Sequence, residues 1–156
     1  MVEHAPPNYR CPFCRLVRGD ETIYNSTGDI VCQDDEVMAF ISPKWWPNNP
    51  GNLIIIPIRH VENIYTIPDE LLSHLMVVSK RLAGAVKAVY GCDGTSFRQH
   101  NEPGGDQELL HYHLHLFPRY FGDDLYRKTD EHRFANADER QVYAQRLRSF
   151  LEHAAT

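Results

Sequence analysis

The chain has 156 residues, 42% hydrophobic and 24% charged, with a net charge of −5. That length suits one domain able to bury about two-thirds of its unfolded surface around a single core. The acidic balance argues against a broad phosphate-backbone footprint, and so against a nucleic acid polymer as partner, whereas a small anionic ligand needs only local donors. The first ten residues, MVEHAPPNYR, lack the apolar core of a signal peptide. No apolar run approaches the roughly 18 residues needed to span a bilayer, so no membrane association and a cytoplasmic protein are expected.

In chain order, residues 1–10 read as a flexible lead-in. From 22 to 41 short β-prone runs alternate with turn signals at Thr27-Gly28-Asp29 and Asp34-Asp35. They predict a small antiparallel meander with strands near 22–25, 29–33 and 36–41. The stretch SPKWWPNNPG reads as a loop without regular structure, because three prolines interrupt it. Trp45 and Trp46 in this loop are core filler or a substrate-facing lip, with packing favoured. NLIIIPI is a continuous apolar run, a buried strand at 52–58. After Pro68 the period changes: Leu71, Leu72, Leu75, Val78, Leu82, Val86 and Val89 form one face of a long helix ending at Gly91. Residues 94–101 predict another strand, NEPGGDQ a tight connection, HYHLHLFPR a strand, and 137–152 a second helix. The sum is an α+β fold, a mostly antiparallel five- to six-stranded sheet with one long packed helix and a C-terminal helix.

HYHLHLF carries the chemistry. On a strand His111, His113 and His115 share one face, with Tyr112, Leu114 and Leu116 on the other. Alternate residues lie about 6–7 Å apart, so the outer pair are separated by about 13 Å at their bases. That favours separate duties over one three-histidine metal site. Imidazole titrates near 6.5, so a neutral nitrogen can attack phosphorus and form a covalent phospho-histidine. A neighbouring histidine can orient it or place charge near the phosphate oxygens.

Cys11-Pro12-Phe13-Cys14 is either a redox motif or half of a tetrahedral zinc site. Pro6 and Pro7 exclude the buried strand that a thioredoxin-like motif needs upstream, which weakens the redox option. Spacing alone leaves the remaining zinc ligands open among His60, His74, His100, His111 and His132.

With these segments placed, the chain resembles the histidine triad (HIT) family, whose hallmark is His-φ-His-φ-His-φ-φ with φ apolar. Agreement runs from residue 11 to 121 through CPFC, DDEVMAFISP, PGNLIIIPIRHVENI, the long helix, NEPGGDQ and HYHLHLFPRY. Residues 122–156 form a C-terminal extension whose helix is expected to pack on the domain. The resemblance implies a nucleotidyl hydrolase acting at the α-phosphate of dinucleoside polyphosphates or nucleoside phosphoramidates. A transferase or phosphorylase with the same intermediate, and a nucleotide-binding module with weak catalysis, are the alternatives. His113 would be the nucleophile, His115 would assist at the phosphate, and Gln107 would contact phosphate or bridging oxygen. Asn101 would contact the nucleotide, with Phe13, Leu16 and Ile54 lining the base and ribose pocket. A structural zinc would be held by Cys11, Cys14, His60 and His111, and the protein would be a homodimer paired through the long helix and a neighbouring strand. Departures from the family pattern are Asn52 in place of an active-site histidine, and Ser42 where a carboxylate or amide often holds the ribose. Asp106 replaces a glycine, and Glu108 replaces a Ser or Thr.

Overall fold

The computed structural model describes residues 4–154. Five strands, β1 (Ile30–Gln33), β2 (Val37–Ile41), β4 (Leu53–Pro57), β5 (Gly94–Gln99) and β6 (Leu114–Arg119), form one sheet in the order β1-β2-β4-β6-β5. Every pairing in it is antiparallel. A second, two-residue ladder joins β3 (Lys44–Trp45) to β7 (Arg133–Phe134). The described residues also form three α-helices, α1 (Pro12–Val17), α2 (Asp69–Tyr90) and α3 (Ala137–Ala154), and two short 3-10 turns. No helix among the described residues is long and apolar enough to cross a membrane.

Period-2 alternation sorts side chains to the two sheet faces. Leu53, Ile55, Leu114 and Leu116 face α2, whose Leu71, Leu75, Val78, Leu82 and Val86 close the main core. Gly91 ends α2 in the left-handed region at φ 65°, where a Cβ would be strained. On the opposite face Ile54, Ile56, Met38 and Phe40 meet Phe13 and Leu16 of α1 in a second core. The helix α3 docks on β1, β2 and α2 through Ala144 and Leu147, both fully buried. Tyr143 of α3 lies so close to Gly51 that a Cβ at that position would overlap its ring, and Gly51 sits at φ 76°. An ion pair between Arg140 and the buried Asp29 adds a polar lock at 3.0 Å.

Four local expectations are revised. Residues 22–25 form a turn, not a strand: Thr22 N donates to Asn25 O, and Asn25 N donates to Thr22 Oγ1 at 3.0 Å. Such side-chain bonds compete with a ladder. SPKWWPNNPG is not wholly irregular, since β3 pairs with a segment nearly 90 residues away that no local pattern announces. The ladder of β6 begins at Leu114, which pairs with Ile55 of β4 and with Gln99, the last residue of β5; Tyr112 N instead donates to Val61 O at 2.6 Å. Residues 4–10 are tied down: His4 N and Ala5 N donate to the Glu62 carboxylate, and the Tyr9 hydroxyl accepts from Leu110 N. Residues 1–3 of the expected lead-in lie outside the described residues.

Candidate functional site

The histidines of HYHLHLF divide between two places. His111 turns toward α1 and meets Cys11, Cys14 and His60, and the four ligand atoms all lie within 4.8 Å of one another. Cys11 Sγ is 3.3 Å and Cys14 Sγ 3.6 Å from His111 Nδ1, and Cys14 Sγ is 3.4 Å from His60 Nδ1. A tetrahedral site with metal–sulfur bonds of about 2.3 Å and metal–nitrogen bonds of about 2.05 Å separates S and N by about 3.6 Å. The cluster has that size. His111 Nε2 lies 2.9 Å from Pro57 O; a carbonyl only accepts, so Nε2 carries the proton and the Nδ1 lone pair faces the sulfurs. Burial holds His111 down at about 4 and pushes the Cys11 thiol up to about 12. Neutral imidazole is the ligating form, and a thiolate in this setting needs a cation beside it. The residues present therefore fit a four-coordinate metal.

Phe13 stands between the two halves of the site. Its ring is 5.6 Å from His111 and 5.4 Å from His113, both edge-to-face. Its position follows from Pro12 at the first turn of α1 and from the Cys11 sulfur accepting from Cys14 N, which together start a short helix.

His113 and His115 sit at the junction of two cavities. An apolar slot of about 310 Å3 is lined by Phe13, Leu16, Ile54 and Ser42, and a polar cavity of about 650 Å3 by Lys44, Arg98, His100 and Glu108 among others. His113 Nδ1 donates to His111 O at 2.8 Å, which leaves its Nε2 with the lone pair. Burial lowers the His113 pKa. It lowers that of His115 well below the usual value, helped by His113 and Arg98. Both shifts favour the neutral imidazoles, and the side-chain cations that line the polar cavity are Lys44 and Arg98. The two rings are 5.1 Å apart, and His115 Nδ1 is buried with no hydrogen-bond partner among the described residues.

The other predicted residues fare differently. Phe13, Leu16, Ile54 and Ser42 share the apolar slot with both histidines. Gln107 borders the polar cavity, yet its amide is spent on backbone: Nε2 donates to Glu62 O and Leu109 O, and Oε1 accepts from Glu102 N. It braces the Gly-rich loop. Asn101 lines neither cavity; its Oδ1 accepts from Ile64 N at 2.8 Å and its amide pairs with Gln99. Asn52 is fully buried, lines neither cavity, and among the described residues neither of its amide atoms has a hydrogen-bond partner. The two carboxylates line the polar cavity with the histidines but are exposed to solvent. Asp106 adopts φ 63°, the conformation that suits a glycine, and is exposed. Glu108 is 74% exposed and paired with Lys44 at 3.0 Å.

Tyr24 and Phe134 line the apolar slot with no sequence signal, while Trp45 and Trp46 divide between the two readings open to them. Tyr24 and Phe134 face each other at 5.3 Å across the mouth of the apolar slot, though 110 positions separate them. Trp46 enters the polar cavity while Trp45 packs into the core against Tyr143. The β3–β7 ladder and the Trp46 indole bond to Thr129 O bring distant parts of the chain to these cavities.

Comparison with known proteins places the chain. The HIT domain model matches residues 24–122. An uncharacterized HIT-like protein of Methanocaldococcus jannaschii is 30% identical over 129 residues, 83% of this chain and 94% of that protein. The adenosine 5′-monophosphoramidase of Saccharomyces cerevisiae is 30% identical over 119 residues, 76% of this chain and 68% of that protein. Among solved structures, a Zn-bound histidine triad family protein from Mycobacterium smegmatis superposes with a TM-score of 0.76 at 24% identity, over 94% of this chain and 96% of that one. The sheet, the two-sided site at His113 and these likenesses agree: the chain belongs to the HIT family.

Proposed function

We propose that the protein is a nucleotidyl hydrolase that acts at the α-phosphate of a nucleotide through a covalent nucleotidyl-histidine on His113. One observation carries the reading: the His113 Nδ1 proton is committed to His111 O, so a neutral Nε2 lone pair faces the junction of the apolar and polar cavities. The nucleoside occupies the slot of Phe13, Leu16, Ile54 and Ser42, and the leaving group departs on the side of Arg98. His115, with its unpartnered Nδ1, is the assisting group at the phosphate. Gln107 acts by holding the loop that carries Glu108. Dinucleoside polyphosphates and nucleoside phosphoramidates are the candidate substrates; the monophosphoramidase activity of the yeast relative supports the second.

Zinc is the metal assigned to Cys11, Cys14, His60 and His111, with a structural duty. With four protein ligands it has no open position for substrate, and it ties α1, which carries Phe13 and Leu16, to the end of β4 and the start of the triad. The four unpaired cysteines suit a reducing, cytoplasmic setting. A homodimer would use the free edge of β5, where Phe97 is 39% exposed, together with Met76 and Val77 on the outer face of α2.

The test is turnover by His113→Ala. Release of nucleoside monophosphate should fall by several orders of magnitude with AMP binding retained; unaltered turnover overturns the mechanism.

A further inference from the structure

The polar cavity is built partly by residues beyond the matched HIT domain, which ends at residue 122. Thr129, Asp130 and His132 form one of its walls. They are held by the Trp46 indole N–H donating to Thr129 O at 2.9 Å and by the β3–β7 ladder. Across the β5–β6 pair from His115 stands Arg98. Its guanidinium carbon lies 5.0 Å from the Trp46 ring centre and 4.9 Å from that of Phe117. Lys44 Nζ and the His132 ring each lie 5.9 Å from Trp46.

The charges in this cavity are unequally matched. Lys44 already has Glu108 as its partner, while Asp106 and Asp130 are exposed. Among the described residues no carboxylate pairs with Arg98, and its Nε is buried with no hydrogen-bond partner. Aromatic faces hold a guanidinium but do not neutralise it. An anion arriving there would meet a pre-positioned cation that no carboxylate partner already holds.

Resting on the nucleotidyl-transfer reading above, we propose that this cavity is the leaving-group compartment and that Arg98 selects a phosphate-bearing leaving group. Nucleoside phosphoanhydrides are then preferred over phosphoramidates of neutral amines. In the first step His113 Nε2 forms the N–P bond as the bond from the α-phosphorus to the bridging oxygen breaks. The electron pair goes to that oxygen, which departs as part of a phosphate chain carrying one more negative charge, beside Arg98. Water then attacks phosphorus, the N–P bond breaks back to the imidazole, and the water's proton passes to solvent as the nucleoside monophosphate leaves. A departing amine takes up a proton instead, develops no anionic charge, and gains nothing from Arg98.

Arg98→Met keeps a long apolar stem against Trp46 and Phe117, and Arg98→Lys keeps the charge. Calorimetry with inorganic tripolyphosphate and with AMP reads the two compartments separately. Arg98→Met should weaken tripolyphosphate by about 10- to 100-fold, the range for a lost charge-assisted hydrogen bond, and leave AMP within about threefold. Its kcat/KM should fall by a similar factor for adenosine 5′-tetraphosphate and for diadenosine tetraphosphate, but stay within about threefold for an adenosine phosphoramidate of a neutral amine. Arg98→Lys should recover part of each loss. The proposal is overturned if wild-type protein does not bind tripolyphosphate, if Arg98→Met binds it equally well, or if anhydride and phosphoramidate turnover fall together. Wild-type protein that turns over neither class would sink the nucleotidyl-transfer reading, while the tripolyphosphate titration still decides whether the anion compartment exists.

Discussion

Replacing Arg140 by Met keeps the side-chain length but leaves Asp29 buried and charged with no cation opposite. In the native protein the pair lies at 3.0 Å with the two side chains 5% and 0% exposed. Removing one member of such a pair costs about 3–5 kcal/mol, mostly the penalty of the stranded charge. The Asp29 carboxylate would still accept from Ser26 N at 2.8 Å and Asn25 Nδ2 at 3.1 Å. Those bonds place the expected loss near the lower end, about 3 kcal/mol. Asp29→Asn in the Arg140→Met background removes the stranded charge and should return about 1–2 kcal/mol. Urea unfolding of the four proteins of this cycle provides the numbers. A loss under about 1 kcal/mol in Arg140→Met, or a double variant no more stable than Arg140→Met, would refute the reasoning. Phe134 and His132 enter the two cavities just ahead of α3, so loosening this helix should also raise KM before it lowers kcat.

Purified protein should carry about one zinc per chain. Stripping it should lower the unfolding temperature, since ligand at about 100 times its Kd adds about 2.7 kcal/mol; a melt unchanged by metal removal would contradict the assignment. Cys11→Ser with Cys14→Ser should lose the metal, whereas His115→Ala should retain it, as read by metal analysis. The Asp123 carboxyl is held well below the usual carboxylate range, chiefly by Arg119, whose Nε and Nη2 donate to it at 2.7 and 2.8 Å. Because the folded pKa lies below the unfolded value of about 4, the stabilisation is complete above about pH 4 and is lost as pH falls toward the folded pKa. Asp123→Asn should therefore cost stability at pH 7 by about 3 kcal/mol, and the gap to wild type should narrow steadily below pH 4. A pH-independent gap in denaturation midpoints would show that the carboxylate charge is not the source.

What the sequence disclosed was chiefly what period and spacing encode. The repeat in α2 and the apolar run of β4 are local patterns, and both elements lie within two residues of their expected ends. Strand spacing also favoured separate duties for the triad histidines over one three-histidine metal site, while the choice of His111 for the metal came from the resemblance. Long-range closure was hidden. Nothing near Lys44 or Trp45 announces a partner at 133–134, because a two-residue ladder has too little period to detect. Residues 22–25 look β-prone, but Thr22 and Asn25 use their side chains to close a turn. The resemblance places Gln107 and Asn101 at the ligand; in the structure their side-chain amides bond backbone groups of Glu62, Glu102, Leu109 and Ile64 and the Gln99 side chain. Hydrogen-bond partners of this kind are set by tertiary approach and leave no trace in local composition. Arg98 was invisible for the same reason, as its lack of a counterion is a property of its surroundings.

The central claim is that His113 forms a covalent bond to the α-phosphorus. Rapid quench of the protein with a dinucleoside tetraphosphate and with a nucleoside phosphoramidate, followed by intact-mass and peptide mass spectrometry, tests it directly. The account predicts an increment of one nucleoside monophosphate less water, located on His113 and missing in His113→Ala. An adduct on another residue, or turnover by wild-type protein with no adduct at any quench time, would contradict it.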